Sequence, residues 1–151
     1  MKVLIIYDSV YGNTERIARA IAEAITPSGE VKVLRAGEAN PSELASIALL
    51  IVGSPTHGGR PTPAIQDLLN KVTQASLKGI NVAAFDTRSQ AKLARVFGNA
   101  AGRIAAKLTT KGGVLIVSPE GFFVTGTKGP LKEGELERAA TWAKGILEGK
   151  K

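Results

Sequence analysis

Apolar positions in this chain recur in two alternating rhythms. Runs 3–7, 48–53, 80–85 and 114–118 are nearly continuous stretches of Val, Ile, Leu, Ala and Phe, and a shorter, more polar run covers 31–34. Continuous apolar runs of this length suit parallel strands covered on both faces. Between them the apolar residues return every three to four positions. Ile17, Ala18, Ile21, Ala22 and Ile25 mark a helix over 14–25; Ile65, Leu68, Leu69 and Val72 mark one over 62–73. Ile104, Ala105 and Leu108 mark a third over 99–110, and Leu136, Ala140, Ala143 and Leu147 a fourth over 133–147, with a short helix at 41–45. Strict alternation of strand and helix predicts an α/β fold: a doubly wound, five-stranded parallel sheet with right-handed crossovers, built as one domain over 1–151. Ligands of such sheets sit beyond the carboxyl ends of the strands, which directs attention to the loops after strands one, three, four and five.

The first of these loops, Ser9-Val-Tyr-Gly-Asn-Thr14, joins a buried strand directly to an amphipathic helix. Backbone N–H groups and the positive end of the helix dipole converge there, an arrangement that suits phosphate. Ser9, Asn13 and Thr14 can donate to phosphate oxygens, and Gly12 allows close approach or positive φ. Asn13 or Thr14 is also a candidate N-cap. No Lys or Arg precedes Arg16, so amides and hydroxyls would neutralise the anion. The pattern is neither a Walker A loop nor G-x-G-x-x-G. The loop after strand three, 53–63, is long and rich in Gly and Pro. Thr56, Gly58 and Gly59 can offer main-chain groups to a flat heterocycle, His57 can pack on it, and Arg60 can sit at its polar edge. After strand four come Thr87 and Arg88, with Phe97 and Gly98 closing that segment. Phe122 and Phe123, in the loop expected after strand five, either cover a ligand edge or plug the core, and Trp142 reads as core.

Composition narrows the chemistry. The chain has 151 residues, no Cys and one His, which excludes disulfides, thiolate metal sites and a His-based metal cluster. The net charge is +7, but the basic residues are dispersed and lack interleaved aromatics, so nucleic acid is not the expected partner. With neither a signal-peptide pattern nor a membrane-length apolar run, the expected setting is the cytoplasm, away from membranes. A receiver domain would need an acidic cluster after strand one and a phosphoacceptor Asp after strand three, where Ser54-Pro55 stands.

Residues 7–15 resemble the phosphate loop of flavodoxin-like proteins, and residues 52–59 resemble that family's second flavin loop. The resemblance covers the full length. It implies strand order 2-1-3-4-5 and FMN as cofactor. It further implies that the ribityl phosphate lies on the loop of Ser9, Val10, Tyr11, Gly12, Asn13 and Thr14. The isoalloxazine would lie between Pro55, Thr56, His57, Gly58, Gly59 and Arg60 on one side and Thr87, Arg88, Phe97 and Gly98 on the other. The function implied is electron transfer between redox partner proteins, acidic ones given the basic surface. The alternatives are an FMN-dependent quinone or NAD(P)H oxidoreductase, and a binding module of this fold without flavin. Unlike many acidic members, this chain has no Trp or Tyr in the second or third loop. Arg60 and Arg88 near the ring would favour the reduced, anionic flavin, so a less negative potential is expected.

Overall fold

A computed structural model describes residues 1–73, 76–89 and 99–149. Among the described residues there are six strands: β1 Lys2–Tyr7, β2 Glu30–Arg35, β3 Leu49–Pro55, β4 Asn81–Ser89, β5 Val114–Leu115 and β6 Glu120–Val124. The described helices are α1 Asn13–Ile25, α2 Pro63–Lys71, α3 Ala100–Thr110 and α4 Glu135–Gly149. The expected short helix is a single 3₁₀ turn, Pro41–Leu44, whose cap Asn40 accepts from the Ser42 amide at 3.1 Å.

Among the described residues these strands pair with one another in parallel, in the order β2-β1-β3-β4-β5, with β6 also on β4. The fifth strand expected at 114–118 is therefore split. β5 pairs with Asn81–Val82 and β6 with Phe85–Ser89, so both lie along one flank of β4. The break spans 116–119, four residues opposite two of β4, and includes Pro119, which has no N–H for the ladder. The stretch expected as a glycine-rich loop thus begins as strand, and Phe122 becomes a core residue.

Side-chain alternation divides the core. Leu4, Ile6, Leu50, Val52, Val82 and Ala84 face α2 and α3, meeting Ile65, Leu69, Ile104 and Leu108. Val3, Ile5, Leu49, Ile51, Ala83 and Phe85 face α1 and α4, meeting Ile17, Ile21, Ala139, Ala143 and Ile146. Within the second layer Phe85, Phe122 and Trp142 form a mutually edge-to-face trio, with centroids 6.0–6.1 Å apart, as favoured by their quadrupoles. Phe85 fits only because its neighbour on β3 is Gly53: a Cβ there would come within 2.1 Å of the ring. This packing fixes the strand ends that carry the site.

Candidate functional site

The carboxyl ends of β1, β3, β4 and β6 enclose a cleft of about 120 Å³. Its walls include Ser9, Val10, Tyr11, Asn13, Thr14, Pro55, Thr56, His57, Thr87 and Arg88, and also Ser89, Val124, Gly126 and Thr127. Three separate loops singled out from the sequence therefore meet at one place. The loop expected after strand five contributes as well, through Val124, Gly126 and Thr127, while Phe122 and Phe123 are not among the cleft-lining residues.

Gly12, at φ 92°, is the N-cap of α1, rather than Asn13 or Thr14. The left-handed turn there brings the Ser9 hydroxyl back under the helix start. It accepts the amides of Gly12 at 3.1 Å and Glu15 at 3.3 Å, doing the work of a side-chain cap. Its own O–H remains able to donate. Asn13 is committed elsewhere: its amide donates to the Lys128 carbonyl at 3.0 Å. That contact docks the segment after β6 against the first loop, and Gly129 is pressed so close that a Cβ would meet Asn13 at 2.5 Å. The Thr14 and Thr87 hydroxyls are buried and bonded at 2.8 Å. Val10 and Tyr11 are about half exposed (52% and 50%), with the Lys128 ammonium 5.8 Å from the Tyr11 ring centre. Below the loop, burial first and the Glu15 carboxylate second raise the pKa of Tyr7 above its ordinary value.

Residues 57–60 form a tight two-residue turn. His57 and Arg60 exchange N–H···O bonds of 2.9 and 3.1 Å, and Gly58 and Gly59 take φ 59° and 79°, the conformation for which Gly is suited. His57 lines the cleft, whereas Arg60 lines a different groove, between α2 and α3. Gly58 and Gly59 are not among the cleft-lining residues. Thr56 is anchored on both sides: its amide donates to the Thr87 carbonyl at 2.9 Å, and its hydroxyl accepts the Ala100 amide at 3.0 Å.

The two cations expected beside the ring are thus differently placed. Arg60 lines the groove between α2 and α3, and Arg88 is paired. Its guanidinium grips fully buried Asp86 at 2.8 and 3.0 Å, and Asp86 also accepts the Ala101 amide at 2.9 Å. The pair lies over Gly121, where a Cβ would come within 2.3 Å of the guanidinium. Phe97 and Gly98 lie outside the described residues.

The donor set fits a phosphate-bearing ligand. The amides of Asn13 and Thr14 open α1 and precede any intrahelical acceptor, and hydroxyls of Ser9 and Thr14 stand beside them. Among the described residues, no group of three or more His, Cys, Asp or Glu side chains could hold a metal. No described helix is long and apolar enough to cross a membrane.

The family model described as flavodoxin matches residues 5–142. The coenzyme F420H(2) oxidase of Methanothermobacter marburgensis is 32% identical over 115 residues, 73% of this chain and 26% of that one. The diflavin flavoprotein A 4 of Synechocystis sp. is 36% identical over 104 residues, 66% of this chain but 16% of its own length, so the chain spans about a sixth of such relatives. Oxidised flavodoxin 2 from Bacillus cereus superposes with a TM-score of 0.84 at 26% identity, over 98% of this chain and 99% of that one. The chain belongs to the flavodoxin family, whose domains bind FMN and carry electrons.

Proposed function

We propose that the cleft holds FMN with its phosphate on residues 9–14 and its ring toward Pro55, Thr56, His57, Thr87 and Arg88, and that the domain passes electrons between partner redox proteins. FMN supplies the one- and two-electron chemistry when bound. The chain's own residues bind and orient it. First-turn amides with the Ser9 and Thr14 hydroxyls take the phosphate. Thr87 links the phosphate end of the cleft to β4, and Thr56 and His57 present the turn that borders the ring. The observation that carries this is the meeting of the three loops at one cleft, at the strand ends. The named relatives are longer redox proteins, which supports a redox protein as partner, and the net charge of +7 supports an acidic one.

A visible spectrum of the purified protein, followed by titration with FMN, tests the reading. A yellow protein, or saturable quenching of FMN fluorescence at low micromolar concentration, is the expected result. A colourless protein that leaves FMN fluorescence unchanged would overturn it.

A further inference from the structure

We infer that the groove between α2 and α3 is the docking surface for an acidic partner protein. The inference deepens the proposed electron-carrier function by placing its partner, and rests on that reading for the identity of the partner as a redox protein. The groove has a volume of about 550 Å³. Pro61, Leu69 and Ala106 supply apolar surface, and Arg60, Arg103 and Lys107 supply cations. Among the described residues no carboxylate lines it. Two other open grooves of similar size, flanking α1 and α4, mix their cations with Glu15 or with Glu23 and Glu137, and Arg19 there is paired with Glu15. Among the described residues neither Arg60 nor Lys107 has an ion pair. The Arg60 and Lys107 charges are therefore uncompensated among the described residues, and a negative surface would be attracted to them. An apolar floor with a charged rim is also how protein interfaces are built. Among the described residues no aromatic side chain lines the groove, so base stacking finds no platform on them.

The position of the groove relative to the cleft supports a redox partner in particular. Arg60 on the groove and His57 on the cleft are the two ends of one turn, joined by two backbone hydrogen bonds. Arg103 holds that turn from the groove side, its Nε donating to the Gly59 carbonyl at 2.8 Å. A protein seated over α2 and α3 would rest on the turn that borders the proposed ring site, separated from it by the two glycines of that turn.

The test uses succinylated cytochrome c as an acidic probe and native, basic cytochrome c as its counterpart. Both are titrated at low ionic strength into ¹⁵N-labelled protein, without flavin and again with FMN. The expected result is amide shifts confined to the 57–60 turn, α2 and α3, with the acidic probe only, and lost as salt is raised. Lys107→Glu with Thr110→Glu should weaken that binding at least tenfold. Lys144→Glu with Thr141→Glu, an equal charge change on α4, should alter it less than threefold. Shifts on α1 and α4, equal binding of the basic probe, saturation of the groove by millimolar inorganic phosphate, or self-association through it would overturn the docking surface. Electron transfer from the reduced, FMN-loaded protein to the acidic probe is read separately. Groove binding without transfer supports the surface and counts against the flavin reading; transfer indifferent to the Lys107 and Thr110 changes overturns the surface.

Discussion

The hydroxyls of Thr14 and Thr87 meet at 2.8 Å, buried, although 73 positions separate them in the chain. One opens the helix that receives the phosphate in the proposed mode, and the other stands on the strand that borders the ring. The pair ties the two halves of the cleft together. Thr14→Ala should therefore weaken FMN binding about tenfold or more, since a hydrogen bond to a charged group contributes roughly 1.5–3 kcal/mol. Fluorescence titration checks this. An affinity within threefold of the parent protein would show that the phosphate lies elsewhere.

Asp86 holds Arg88 and the start of α3 from a fully buried position. Asp86→Asn should cost about 3 kcal/mol in urea unfolding, the low end for removing one partner of a buried pair, because Arg88 keeps some solvent contact (24% exposed). It also leaves the guanidinium charge uncompensated at the cleft, so the potential of bound FMN should become less negative. Spectroelectrochemistry that finds it unchanged would mean that Arg88 is too far from the ring to matter.

Acid should attack a different place. The Glu135 carboxylate accepts from Arg138 and from the Phe123 amide at 2.6 Å, and Arg138 chiefly, with that amide, lowers its pKa below the ordinary value. A carboxylate lowered on folding contributes stability that is fully present above its unfolded pKa, near ~4.3, and is lost as pH falls through the lower, folded value. Glu135→Gln should be less stable than the parent at pH 7. It should also lose less further stability between pH 5 and pH 3, and parallel acid-unfolding curves would exclude this role.

Gly53 and Phe85 form a steric pair across β3 and β4. Gly53→Ala should destabilise by roughly 1–3 kcal/mol or more, as overpacking does. Adding Phe85→Leu should restore part of the loss, so that the double-mutant cycle shows coupling. Strict additivity in thermal unfolding would place the strain elsewhere.

Thr62 carries a buried hydroxyl with no partner among the described residues. Thr62→Val removes that polar group at nearly constant shape, so stability should stay level or rise. A clear loss would mean that the hydroxyl is engaged in solution.

Fold and cleft were legible to different degrees. Strands β1, β3 and β4 are buried on both faces, so hydrophobicity alone announces them, and the helices between follow from their spacing. The split at Pro119 was hidden because 114–118 is apolar throughout, while β6 begins with Glu120-Gly121, residues that usually signal a loop. The loops that line the cleft were visible because glycine, proline and hydroxyls crowd at strand ends. The direction of individual side chains was not. His57 and Arg60 are paired across one turn yet line different grooves, a placement that composition does not reveal. Likewise Asn13 serves the Lys128 carbonyl instead of the helix cap, a contact between residues 115 positions apart.

The Ser9 hydroxyl, by engaging the Gly12 and Glu15 amides itself, gives the first loop its folded shape from within. Conformational entropy that a slack loop would surrender on capturing a ligand has already been surrendered during folding. Association then requires little rearrangement of the backbone.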